Sequence, residues 1–276
     1  VFNQKKRYPL PMLPSCFDPV IRTWFDSQFD APTPCQVRAW DALSDDRNVL
    51  IAAPTGSGKT LAAFLTAINE LVSQAREGCL DSVTSVLYVS PLKALSNDIQ
   101  YNLQAPLQAV RELLTKEPNY LSTITSAVRT GDTTSADREK MRRRPPHILV
   151  TTPESLYILL TSVSGRKMLE TVKTVIVDEI HAIVSNKRGI HFSLSLARLE
   201  RLTPKPLSRI GLSATQRPLE RIANFLAYGN SPTEPVSACA IVDEGHMRSH
   251  DIAIEMPESD LEPVISAEVA NQIRAR

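Results

Sequence analysis

Asp178 and Glu179 stand side by side where an apolar run stops, in VIVDEIH (residues 175–181). Two adjacent carboxylates repel each other and are costly to bury without a positive partner. Either a strand end turns into solvent there, or a metal ion occupies the spot. A second apolar run bears on the choice: NVLIAA (48–53) leads straight into APTGSGKT (53–60). Gly56, Ser57 and Gly58 are small enough for consecutive backbone N–H groups to close around phosphate oxygens. Lys59 adds a point charge and Thr60 a hydroxyl suited to Mg2+. A helix starting at this point would aim the positive end of its dipole at the same anion. Ala53 stands where the usual G-x-x-x-x-G-K-[ST] pattern has its first glycine. A GKT triplet alone says little, but here it lies between a buried strand and an amphipathic helix, which is the context the motif requires. On this reading the ligands are ATP and Mg2+. Asp178 reaches the metal on the β- and γ-phosphates through water, and Glu179 orients and deprotonates the attacking water.

The residue types after the other apolar runs suit a different chemistry. SVLYV is followed by SPLKALSND, with Ser90 fitted to an N-cap and Pro91 to the first helical position. HILV is followed by TTPESL, with Thr152 as cap and Pro153 first in the helix. ITSAV is followed by RTGDT, a glycine turn flanked by Arg129 and Thr130. Helix N-termini bind phosphate, and three more such sites cannot all serve one ATP. A nucleic-acid backbone accounts for them together; ordinary helix capping is the competing account. Ser213 and Thr215, in SATQRP, are short hydroxyls that could link the hydrolysis site to these loops, or simply form a turn. His181 has the same two readings: a satisfied lone histidine, or a hydrogen-bonded bridge to a neighbouring loop. The basic run EKMRRRPPH (139–147) fits a helix C-terminus ended by Pro145 and Pro146 better than a nucleic-acid patch.

The elements that would position these residues follow a rhythm. Apolar runs at 48–53, 85–90, 124–128, 147–152, 174–179, 209–214 and 236–244 alternate with helical segments. The runs are continuous rather than alternating, as expected for strands buried on both faces. In LAAFLTAINELVSQA, Leu61, Phe64, Leu65, Ile68, Leu71, Val72 and Ala75 share one helical face. The expectation is an α/β fold, a mostly parallel sheet with helices on both faces and its site at the strand carboxyl ends. Residues 16–43 read as helical with a break at APTPCQ, after an N-terminal arm over 1–15.

Composition sets outer limits. The 276 residues carry 31 Lys and Arg against 30 Asp and Glu, so a nucleic-acid partner must be argued from local sites. The 4 cysteines are far apart, without metal-ligand spacing, and read as scattered reduced thiols. No apolar run nears transmembrane length and no signal peptide opens the chain, so the expected compartment is the cytoplasm, with no membrane partner. A start at Val1 and an end at Arg276 within a helix-like stretch suggest a fragment.

Taken in order, these blocks resemble the first RecA-like domain of a superfamily-two helicase. TPCQ is similar to the glutamine motif, APTGSGKT to motif I, SPLKAL to motif Ia, RTGD and TTPESL to the Ib region, DEIH to motif II and LSAT to motif III. The wording of SPLKALSND, VRTGDT, PPHILVTTPESL, VIVDEIHAIVSNKRGIH and IGLSATQRPLE further resembles the Lhr (large helicase-related) family. The resemblance covers about residues 16–245. It implies a P-loop NTPase that couples ATP hydrolysis to 3'-to-5' movement on single-stranded DNA and unwinds duplexes, RNA–DNA hybrids included. It also implies Gln36 on the adenine and Thr55 in the phosphate loop with Gly56 to Thr60. Ser90, Lys93, Arg129, Thr152 and Ser155 would lie on the tracking strand, with His181, Ser213 and Thr215 coupling ATP to DNA. Such a motor needs a second RecA-like domain, and Lhr proteins add C-terminal domains. Residues 246–276 read as a linker or the start of that second domain, and the isolated chain is expected to be nearly inactive. The competing readings are an RNA helicase or restriction-type translocase domain, and a binding module without turnover.

Overall fold

A computed structural model describes residues 13–44, 48–91, 99–116, 123–214, 217–227 and 239–245. Lys93, Thr215, residues 246–276 and most of the N-terminal arm lie outside them.

Seven strands form one parallel sheet: β1 (Asn48–Ala52), β2 (Val86–Val89), β3 (Ser126–Arg129), β4 (Ile148–Thr151), β5 (Thr174–Val177), β6 (Ser208–Ser213) and β7 (Cys239–Asp243). Their order is β3-β4-β2-β5-β6-β1-β7. Successive strand residues face opposite sides, and the core divides accordingly. Val49, Ile51, Tyr88, Ile176 and Ile210 belong to one cluster, with α1 (Pro19–Gln28), α2 (Pro34–Leu43), α3 (Lys59–Arg76) and α4 (Ala105–Leu114). Leu50, Leu87, Val89, Val175 and Val177 belong to the other, with α6 (Pro153–Thr161), α7 (Val163–Leu169), α8 (Ile180–Val184), α9 (Lys187–Leu202) and α10 (Leu219–Ala227). Helix α5 (Ser135–Arg143) follows the edge strand β3 and ends at Arg144, just before the two prolines. Its Arg142 and Arg143 both pair with Glu139 on the same helix, as the helix-end reading expects.

Two strands differ from the expectation of burial on both faces. Among the described residues β3 has β4 as its one neighbour and leaves Val128 exposed; β7, at the other edge, is only half-buried over most of its length. Edge position, rather than residue type, sets this. Lengthwise, the apolar run at 174–179 divides: the strand stops at Val177, and the two acids belong to the turn that follows.

The order of the strands positions the site. β6 separates β5 from β1, so their carboxyl ends are two strand spacings apart, roughly 10 Å. That gap has the scale of a diphosphate with a bound ion. Gly211 in β6 admits α10 close to the sheet: a Cβ there would lie 2.9 Å from Leu226 Cδ2 and 3.1 Å from Leu50 Cδ1.

Candidate nucleotide and nucleic-acid sites

The turn after β1 is built on two left-handed glycines, Gly56 at φ 80° and Gly58 at φ 84°. Gly56 has open space around its missing Cβ, so only its backbone conformation requires glycine. Gly58 is constrained twice, because a Cβ would also meet Gln36 Nε2 at 2.5 Å. The loop is held from outside by α2. Thr33 caps that helix, its hydroxyl accepts from Gln36 N and donates to the Ser57 carbonyl at 2.8 Å, and Gln36 Oε1 accepts from Thr33 N at 2.9 Å. Gln36 is thus a buried capping-box residue whose amide faces the phosphate loop. Lys59, first in α3, is also buried, with Nζ 3.5 Å from the Pro54 carbonyl. Thr60 follows it at the head of the same helix, and Thr55 lies at the start of the turn.

Across β6, Asp178 is buried and Glu179 has φ 45°, a left-handed conformation that a non-glycine residue holds only at a cost. The chain must turn from β5 directly into α8, and Glu179 absorbs the turn. Asp178 Oδ1 accepts from Glu179 N at 2.9 Å, while Oδ2 accepts from the Tyr88 hydroxyl. Burial pushes the Asp178 carboxyl above its ordinary range, and the Glu179 charge adds to this; the Tyr88 hydroxyl, the Glu179 amide and Lys59 pull the other way. His181 Nδ1 accepts from Ala214 N at 3.2 Å. Ser213 Oγ and Glu179 Oε2 lie 3.4 and 3.3 Å from the same nitrogen. DEIH and the end of β6 are therefore in contact, while Thr215 lies beyond the described residues.

The donor set fits Mg2+. Asp178 and Thr60 offer hard oxygens, and among the described residues no cluster of three His, Cys, Asp or Glu side chains could cage a metal alone. Mg2+ is held in just this way, by one or two protein oxygens, waters and substrate phosphates.

The remaining expected residues lie at the ends of β2, β3 and β4. Thr152 caps α6 through Ser155 N at 3.3 Å, and its hydroxyl also donates to Ser155 Oγ; both side chains are buried. Arg129 is half-buried, with Nη1 donating to the Thr130 carbonyl at 2.8 Å; burial and then the Arg138 charge pull it below its ordinary value. Arg138 donates to the Gly131 and Thr133 carbonyls, bracing the RTGDT turn. Ser90 is buried and donates its N–H to the Thr151 carbonyl at 3.1 Å.

Two residues absent from the sequence reading belong here. Arg188, on α9, pairs with Glu154 at 2.7 Å and donates to the Pro91 carbonyl at 3.3 Å, tying the segments after β2 and β4 together. No local pattern marks it. Tyr88 sits inside the apolar run VLYV, and a buried tyrosine hydroxyl that must find an acceptor was the available signal.

Fold and loops define a RecA-like P-loop nucleotide-binding domain. The DEAD/DEAH box helicase model matches residues 33–222, and the chain belongs to that family. The resemblance to Lhr proteins holds over most of the chain. It is 45% identical to the ATP-dependent helicase Lhr-Core of Methanothermobacter thermautotrophicus, covering 98% of this chain and 31% of that protein. It is 47% identical to a Mycobacterium smegmatis helicase Lhr solved with single-stranded DNA and AMP-PNP, with a TM-score of 0.73, covering 83% of this chain and 28% of that one. The helicase MrfA, at 24% identity and a TM-score of 0.66, shares the fold. The chain spans about a third or less of these proteins' lengths.

Proposed function

We propose that this chain is the ATP-binding half of an Lhr-type motor that hydrolyses ATP, moves 3'-to-5' on single-stranded DNA and unwinds duplexes, RNA–DNA hybrids among them. The observation that carries the reading is the placement of buried Lys59 and buried Asp178, with half-buried Glu179, at the ends of strands one intervening strand apart. Gln36 would read the adenine, and Thr55 to Lys59 would wrap the phosphates. Thr60 and Asp178 would hold Mg2+, which when bound neutralises charge on the transferring phosphoryl group. Glu179 would take the proton of the attacking water. His181, Ser213 and Thr215 would report the state of that site to the loops bearing Ser90, Lys93, Arg129, Thr152 and Ser155. The DNA-bound M. smegmatis relative supports a single-stranded DNA partner. Residues 16–245 would be the first RecA-like domain, with 246–276 leading to a second that closes over the nucleotide. The cytoplasm suits the free thiols of Cys16, Cys35, Cys79 and Cys239. Among the described residues no helix is long and apolar enough to cross a membrane.

The test compares ATP turnover, with and without single-stranded DNA, for residues 1–276 and for the protein continued through its next domain. DNA-stimulated turnover should belong to the longer protein and vanish in its Lys59→Ala form. An arginine supplied by a second domain is typically worth ~10³–10⁵ in turnover. Equal stimulated rates for both lengths, or normal nucleotide affinity in Lys59→Ala, would overturn the reading. Stimulation by RNA alone would move the assignment to an RNA helicase.

A further inference from the structure

Tyr88 lies wholly inside the molecule, on the strand between β4 and β5, opposite Ile176 in register. Its ring stacks on Phe64 of α3, with centroids 4.7 Å apart and planes 27° apart. Its hydroxyl donates to Asp178 Oδ2. The other carboxylate oxygen accepts from Glu179 N at 2.9 Å. Two donors, one from β2 and one from the turn after β5, therefore fix the plane of a carboxylate that could otherwise rotate about its last bond. The ring stack in turn locks Tyr88 against the helix that begins at Lys59. Each carboxylate oxygen can accept more than one hydrogen bond, so both retain accepting capacity.

We infer that Tyr88 is a positioning residue for metal-bound nucleotide: its hydroxyl holds Asp178 in the one orientation that presents its free lone pairs to Mg2+ or to the ion's water. The inference rests on the nucleotide reading proposed above and names a residue that reading did not use. A buried tyrosine needed only for packing could be phenylalanine. The hydroxyl is explained by its acceptor. Partners that orient a metal-binding carboxylate commonly govern metal affinity by 10–100-fold.

The experiment titrates Mg2+ at fixed fluorescent ATP analogue, reading binding rather than turnover, in the full protein that contains this chain. Tyr88→Phe keeps the ring stack and removes the donor. It should leave nucleotide affinity without Mg2+ unchanged and raise the Mg2+ concentration at half-saturation about 10–100-fold. Tyr88→Met, which fills the space without a ring, should show the same shift. Phe64→Leu, which spoils the stack but keeps the hydroxyl, should shift it far less. In an Asp178→Asn background Tyr88→Phe should add nothing further. An unchanged Mg2+ midpoint in Tyr88→Phe, an equal shift in Phe64→Leu, or a full shift in the Asp178→Asn background would each overturn the inference. Absence of Mg2+-dependent binding in the unaltered protein would instead overturn the nucleotide reading itself, and this inference with it.

Discussion

At the amino ends of the strands, Arg209 is completely enclosed, and its guanidinium donates to Glu200 Oε2 at 2.8 Å and to the Leu226 carbonyl at 2.9 Å. Its backbone N–H donates to Asn48 Oδ1, and Glu200 Oε1 accepts from Leu207 N. His147, just before β4, is buried with Nδ1 bonded to Thr125. At the carboxyl ends Lys59 and Asp178 are just as buried, but their charges are not matched in that way. Lys59 makes one long contact to a carbonyl, and among the described residues no carboxylate pairs with it at bonding distance. Burial holds the Asp178 carboxyl high, and Glu179 beside it is in a left-handed conformation. One sheet thus has an end whose buried cation, Arg209, meets a carboxylate and an end whose buried Lys59 and Asp178 are not paired with each other. Removing one partner of the first pair should be destabilising. The second end holds a strained residue and uncompensated charge, which cost stability.

The contrast can be broken at either end. The largest effect is expected from Glu179→Gln, which keeps size and polarity but cannot accept a proton. Hydrolysis by the full motor should fall ~10²–10⁴-fold, with nucleotide affinity retained and thermal stability little changed. A variant that hydrolyses normally would show that the base lies elsewhere.

Arg209→Met tests the opposite end. It leaves the half-buried Glu200 without its cation, a change that in fully buried pairs typically costs about 3–5 kcal/mol and less where water reaches the carboxylate. Chemical denaturation should show that loss, while nucleotide affinity measured well below the unfolding transition stays close to the original. Replacing both partners with apolar residues should recover part of the stability. If Arg209→Met weakened nucleotide binding without lowering stability, the division between the two ends would be wrong.

The smallest effect is a pH dependence. Burial lowers His147 below its ordinary value; a hydrogen bond to the Asp81 backbone opposes this and the Arg111 charge adds to it. A histidine lowered by folding stays neutral in the native state while the unfolded chain takes up a proton. Its contribution is complete above about pH 6.5, the ordinary histidine value, and is lost as the pH falls through the lower native value. Unfolding free energy should therefore decline on acidification below about pH 6.5 more steeply in the original protein than in His147→Gln. Identical slopes would remove His147 from the account.

Much of the nucleotide site was legible because its signals are local. GSGKT carries its left-handed positions as glycines, and VIVDE changes from apolar to acidic within two residues. One cap was legible for the same reason: Thr152–Pro153 names a helix start in two letters, while the segment after Pro91 lies outside the described residues. Arg188 and Tyr88 were not legible in this way. Arg188 reaches Pro91, 97 positions away, and Tyr88 reaches Asp178, 90 positions away. Neither neighbourhood differs from an ordinary helix start or an ordinary strand. β3 and β7 looked like interior strands because apolar residues suit a sheet anywhere in it.

By itself the sequence determined the element types, the glycine loop after β1, the acid pair and the parallel character of the sheet, since each depends on periodicity or on residues within one turn of each other. Only the tertiary structure decided that β6 stands between the phosphate loop and the acids, that His181 meets Ala214, that Tyr88 orients Asp178, and that Arg209 is buried among partners rather than exposed. Those outcomes depend on which strands become neighbours. Strand order is settled by the packing of whole elements, in which no short stretch of chain has a deciding share.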